Sequence, residues 1–173
     1  MRNLFLLRHA KSGWGDHSLD DKDRPLNERG NRAAKAMADF MASEVGPPDL
    51  VLCSSAVRTR QTCEYFKAAF PADLRVEYHD SLYLASPQQL IYSIGEQASG
   101  IKSIMVIAHN PGIQQLAWHL GANGRVDDLN RIRLKYPTGA MTWLTTEVDQ
   151  WNQLGPENMN LERFVAPRDL EIE

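Results

Sequence analysis

Short apolar runs of strand length alternate with amphipathic stretches of helix length from Asn3 to Gly121, and this alternation limits what the chain can fold into more than any other feature. Residues 3–7 (NLFLL) form the first apolar run, followed by a polar loop over residues 11–26 with Gly13, Gly15 and the aspartates Asp16, Asp20, Asp21 and Asp23. Residues 27–45 place Ala33, Met37, Phe40 and Met41 at helical spacing and stop at Gly46-Pro47-Pro48, where proline cannot continue a helix. Residues 49–55 (DLVLCSS) read as a second strand, with a helix over about residues 56–70 that Pro71 closes. Residues 74–79 (LRVEYH) are a third strand, after which Pro87 opens a helix ending near Gly100. Residues 103–109 (SIMVIAH) are the fourth. The helix after it has Asn110 as cap, Pro111 at the first helical position and Gly121 as its close. Then the pattern breaks: residues 139–148 (GAMTWLTTEV) and 160–166 (NLERFVA) are strands without a helix between them, which favours antiparallel pairing at one edge.

The expectation is therefore an α/β three-layer sandwich: a mostly parallel central sheet of about six strands, helices on both faces and an antiparallel edge. The chain of 173 residues suits a single domain over residues 1–173 with one core and no stapling metal or disulfide. A net charge of −3 offers no basic field for duplex nucleic acid or an anionic membrane. The apolar start before Arg8 is too short for a signal-peptide core and no later run is long enough to span a bilayer, so a cytoplasmic location is expected. Two cysteines, Cys53 and Cys63, are too few for a disulfide scaffold and lack a CxxC spacing. The five histidines show no zinc-ligand spacing, the loop aspartates lack an EF-hand pattern and read as solvated turn residues, and no glycine-rich nucleotide loop is present. No cofactor and no metal are expected.

In a sheet of this kind ligands sit beyond the carboxyl ends of the strands. Three strand ends carry suggestive residues: Arg8-His9 after the first, Ser54-Ser55 with Arg58 one helical turn on after the second, and His109-Asn110 after the fourth. Each alone is better explained by a solvated edge, a surface helix position or a capping side chain. Together they place two arginines, two histidines and two helix N-termini around one crevice, a site suited to a compact dianion such as a phosphoryl group.

The ordered set "RHA" (Arg8, His9, Ala10), "SSAVRTRQT" and "AHNPG" resembles the histidine phosphatase superfamily, also called phosphoglycerate mutase-like, with Ala10 where the family usually has glycine. "LLRHAKSGW", "DRPLNERG" and "HNPG" are most similar to its SixA-type phosphohistidine phosphatases, over residues 3 to about 120. The resemblance implies that His9 is the nucleophile and becomes phosphorylated, that Arg8, Arg58 and His109 hold the phosphoryl oxygens, and that Ser12, Trp14 and Asn110 are neighbouring substrate-binding positions. One imidazole nitrogen must attack while the other is held as a donor, and a backbone carbonyl within residues 10–13 is the expected holder. Family mutases and ester phosphatases protonate the leaving oxygen with a carboxylate placed after the second arginine. Here "EYHDSLYLASP" offers Glu77 and Asp80 without a clear match, and Asp80 is the better candidate for a general acid, against a plain surface-turn aspartate. The expected substrate is a phosphorylated protein carrying phosphohistidine, or a small phosphorylated molecule. Three other readings stand beside it: a general ester phosphatase or mutase of the same superfamily, a non-catalytic phosphate-binding module, and a cysteine phosphatase built on Cys53, whose spacing to Arg58 and Arg60 misses that chemistry's five-residue gap in both directions.

Overall fold

The computed structural model describes residues 1–72 and 74–170. Six strands form one sheet: β1 (Arg2–Arg8), β2 (Leu50–Ser54), β3 (Val76–His79), β4 (Ser103–Ala108), β5 (Met141–Thr146) and β6 (Met159–Val165). Their order is β3-β2-β4-β1-β5-β6, with β1, β2, β3 and β4 mutually parallel and β5 antiparallel to both β1 and β6. The helices are α1 (Glu28–Glu44), α2 (Val57–Ala69), α3 (Pro87–Gly95), α4 (Gly112–Leu120) and α5 (Val126–Leu134).

Strand alternation sorts the core into two layers. Leu4, Leu6, Leu52, Ile104 and Val106 face α3, α4 and α5, whereas Phe5, Leu7, Val51, Met105 and Ile107 face α1 and α2. The handedness rule explains the partition. From β1 to β2 to β3 the chain steps outward in one direction, and the return from β3 to β4 reverses it, so right-handed crossovers place α3 on the face opposite α1 and α2. The three-layer α/β sandwich with an antiparallel edge is the observed architecture.

Local chemistry accounts for most boundaries. Asn27 caps α1 by accepting the Gly30 N–H at 2.8 Å, and Met37 and Met41 are fully buried on its inner stripe. Ser86 and Gln89 form a reciprocal capping box ahead of Pro87. Three expectations need correction. The third helix ends at Gly95, not near Gly100, because a turn brings it against Asn152, whose Cα would lie 3.3 Å from a Cβ at Gly95. Asn110 does not cap α4: Pro111 occupies the cap position, the first helical residue is Gly112, and the Asn110 amide turns to the Tyr136 carbonyl. Helix α5 is absent from the sequence reading: its nine residues are mostly polar and bury Ile132 alone.

The first turn of α1 is pressed onto the loop that follows β1. A Cβ at Gly30 would lie 2.0 Å from the Lys11 carbonyl oxygen, and the same carbonyl accepts the Asn27 N–H at 3.0 Å. Gly30→Ala must therefore push the α1 terminus off residues 10–12. We expect a loss of ~1–3 kcal/mol from this overpacking, read as a fall in Tm of roughly 2–4 °C per kcal/mol. An unchanged melting curve would contradict the packing described.

Candidate active site

Because β1, β2 and β4 run parallel, their carboxyl ends meet at one edge and deliver Arg8-His9, Ser54 and His109 together. A cleft of about 370 Å³ opens there, lined by Arg8, His9, Lys11, Ser12, Trp14, Asp21, Arg24, Arg58, Leu84, His109, Asn110 and Thr138. Of the expected catalytic and substrate-binding residues, Arg8, His9, Ser12, Trp14, Arg58, His109 and Asn110 lie on it and Asp80 does not.

His9 is held by its backbone and its ring. Its N–H donates to Ala108 at 3.1 Å, its carbonyl accepts the Gly139 N–H at 2.9 Å, and the next N–H, of Ala10, donates to Thr62 Oγ1 at 3.0 Å. Gly139 bridges the Arg8 and His9 carbonyls from a backbone at φ +79°, which a side chain would strain. The ring Nδ1 lies 2.7 Å from the Ala10 carbonyl. A carbonyl only accepts, so Nδ1 carries the proton and Nε2 presents its lone pair to the cleft. The expected backbone holder is thus Ala10 itself.

His109 is buried and stands beside His9, ring centroids 5.2 Å apart. Its Nε2 lies 2.7 Å from Ser54 Oγ, and that oxygen also receives the Ala56 N–H at 3.4 Å. The Ser54 hydroxyl proton has no other acceptor among the described residues, so it goes to Nε2, and Nδ1 becomes the protonated nitrogen. Nδ1 has no partner among the described residues, which leaves a buried donor for an anionic oxygen. Burial, followed by the neighbouring positive charges, lowers the pKa of each ring to about 3. Both are neutral at pH 7.

Two guanidinium groups supply the positive charge. Arg8 donates to the Tyr136 carbonyl at 2.8 Å, and Arg58, in the first turn of α2, donates to the Asp21 carbonyl at 2.7 Å and to its carboxylate at 3.0 Å. Nε of each is buried without a partner. Burial and the proximity of Arg58 hold the Arg8 pKa below its ordinary value. Asp21 also receives the Tyr83 hydroxyl and Arg24, and these hydrogen bonds, Tyr83 foremost, keep its carboxyl well below the usual carboxylate range.

The remaining expected positions divide. Ser12 accepts from Arg24 Nη1 at 2.8 Å, and Trp14, 67% exposed, stacks against the Arg24 guanidinium at 3.5 Å. Asn110 lines the cleft with its Oδ1 unpartnered. Asp80 does not line the cleft: its side chain is 83% exposed, and Lys22 and Ser55 hold its carboxyl below the ordinary value. Cys53 is fully buried, burial pushes its thiol up, and it is absent from the cleft wall, which removes the cysteine-nucleophile alternative. Asp21 corrects the reading of the loop aspartates as solvated: the 3-10 turn at Asp21–Asp23 folds it back over Arg58. Arg24, Tyr83 and the Tyr136 carbonyl were also missed. Arg24 sits in the quoted "DRPLNERG", so its signal was available; Tyr136 contributes a backbone atom, which no sequence pattern reports.

Comparison with known proteins follows from this geometry. Residues 4–83 match the model of the histidine phosphatase superfamily (branch 1). An uncharacterized protein of Mycobacterium leprae is 32% identical over 167 residues, covering 94% of this chain and 100% of that protein. Two solved structures, each provisionally named the phosphohistidine phosphatase SixA, superpose closely. The one from Agrobacterium tumefaciens has a TM-score of 0.80 and 31% identity over 96% of this chain and 98% of its own. The one from Nakamurella multipartitia has a TM-score of 0.82 and 28% identity over 96% of each.

The depressed histidine pKa values carry a sign. In the unfolded chain these rings protonate near 6.5; in the folded protein they resist protonation to about pH 3, so stability falls as pH drops from about 6.5 toward 3. Imidazole nitrogen resonances of the ligand-free protein should show His9 as the neutral Nδ1–H tautomer from pH 8 down to about pH 4. A His9 midpoint near 6.5 would contradict the environment described.

Proposed function

The chain belongs to the histidine phosphatase superfamily, on its SixA-type branch, and from that premise we propose that it hydrolyses protein phosphohistidine through a phosphohistidine intermediate on His9. In the first step His9 Nε2 attacks phosphorus while the P–N bond to the substrate imidazole breaks. The substrate ring has taken a proton from solvent on its other nitrogen, so the electron pair of that bond stays on the departing nitrogen and neutral imidazole leaves. In the second step water attacks the phosphorus on His9, and inorganic phosphate leaves with the neutral ring restored. Arg8, Arg58 and the Nδ1–H of His109 stabilise the equatorial oxygens throughout, where most of the catalysis of phosphoryl transfer resides.

The observation that carries the substrate preference is that, among the described residues, no protonated carboxyl group lines the cleft. Asp21 is on the cleft but held ionised by Tyr83, Arg24 and Arg58, and Asp80 is ionised, exposed and off the cleft wall. An alkoxide leaves as a base whose conjugate acid has a pKa near that of water, about 15.7, and needs an acid to protonate it. Imidazole leaves from a conjugate acid of pKa about 6.5 and does not. A site so built favours P–N over alkyl P–O cleavage.

Values of kcat/KM at pH 7 for a phosphohistidine peptide, an aryl phosphate, a phosphoserine peptide and 3-phosphoglycerate test this. The expected order runs from the phosphohistidine peptide, through the aryl phosphate, to the two alkyl esters. An equal or higher value for either alkyl ester would move the protein to the general phosphatase or mutase reading. Binding without phosphate release from any of the four would make it a phosphate-binding module.

A further inference from the structure

Next to the cleft lies a second hollow of about 400 Å³, whose walls include the cations Arg29, Arg131, Lys135 and Arg168 together with Leu134 and Phe164. The two hollows share Thr138. Residues 135–138 are the wall between them. On one side the Tyr136 carbonyl holds Arg8 at 2.8 Å and Asn110 at 3.2 Å; on the other, Lys135 and Pro137 line the groove. A molecule seated in the groove is therefore continuous with the reacting centre.

Its charge is a local reversal. The chain as a whole carries −3. Of the groove's cations, Arg131 is matched by Asp169 at 2.7 Å and Asp128 at 3.9 Å. Arg29 and Lys135 make no ion pair with any described residue. Leu134, on the wall of the same groove, is 77% exposed and offers it an apolar contact. A free phosphate or small phosphomonoester is satisfied within the cleft and has no use for this surface. Cations with no ion pair among the described residues, beside an exposed leucine, complement a polypeptide that carries both carboxylates and apolar side chains.

Resting on the phosphohistidine reading above, we propose that this groove docks an acidic, partly apolar segment of the substrate protein, which presents its phosphorylated side chain to His9 past Thr138. Docking acts on association and residence, so it appears in KM and in salt dependence, and leaves the chemical step to the cleft.

Two synthetic peptides of equal length test the proposal. Each has one central phosphohistidine; one carries aspartate, glutamate and leucine around it, the other serine, glutamine and leucine at the same positions. At low salt the wild-type protein should prefer the acidic peptide by about tenfold in kcat/KM, mainly through KM. The preference should fade as ionic strength rises. In the double variant Arg29→Ser, Lys135→Ser it should fall close to parity, with the neutral peptide turned over as in wild type. The charge-preserving pair Arg29→Lys, Lys135→Arg should retain it. Should the serine double variant fail to fold, Lys135→Ser alone is read the same way, with a smaller drop. Equal rates for the two peptides in wild type, or an undiminished preference in the serine variants, would overturn the docking surface and leave the phosphohistidine reading intact. Hydrolysis of p-nitrophenyl phosphate without hydrolysis of either peptide would remove that reading and the docking surface with it.

Discussion

Strand β1 is hydrogen-bonded on both sides, parallel to β4 and antiparallel to β5, and the geometry of the site follows from that clamp. A central strand cannot slip without turning its whole buried set to the other face, so Leu4 and Leu6 fix the register of Arg8 and His9 from one side of the sheet while Phe5 and Leu7 fix it from the other. The clamp continues past the end of the strand. Gly139 ties the Arg8 and His9 carbonyls, Ala108 accepts from the His9 N–H, and Thr62 accepts from the Ala10 N–H. With the backbone immobilised to this degree, the bond from His9 Nδ1 to the Ala10 carbonyl becomes a fixed feature and not a fluctuating one. His9 Nε2 is aimed into the cleft in advance, and in the proposed mechanism that positioning lowers the barrier.

Charge balance gives that frame its chemistry. Arg8 and Arg58 face one cleft with Asp21 as their near carboxylate, and two buried neutral histidines sit between them. Burial, and after it the positive charge left partly uncompensated, disfavours protonation of either imidazole, so electrostatics suited to a dianion also keep the proposed nucleophile unprotonated. When the dianion binds, the orphaned donors at Arg8 Nε, Arg58 Nε and His109 Nδ1 gain acceptors. The Asp21 carboxylate, which shares Arg58 with the incoming anion, sets how strongly that anion must compete.

The parts legible in the sequence are those written in local pattern. Buried strands of unbroken apolar residues such as Leu50 to Cys53, the stop of α1 before Gly46-Pro47-Pro48 and the Pro87 helix start each carry their signal within a few residues. Strand ends bearing Arg8-His9, Ser54 and His109 converge because parallel order makes them, so the heart of the site followed from fold class. What stayed hidden depends on contacts distant along the chain. Asp21 reads as one of several loop aspartates until the fold sets it against Arg58, 37 positions away. Asp80 lies near the second arginine's helix in the sequence, yet Lys22 and Ser55 turn it outward. Tyr136 acts through a carbonyl just past α5, a short, mostly polar helix with one buried residue.

The account stands on His9 as the atom that accepts the phosphoryl group. Brief exposure of the protein to labelled phosphohistidine peptide, followed by a quench in base and location of the label, tests this most directly. A phosphoramidate should be found on His9, stable in base and lost in acid, with none formed by His9→Ala and turnover abolished in that variant. Label found as an acid-stable ester or on another residue, or wild-type turnover by His9→Ala, would contradict it.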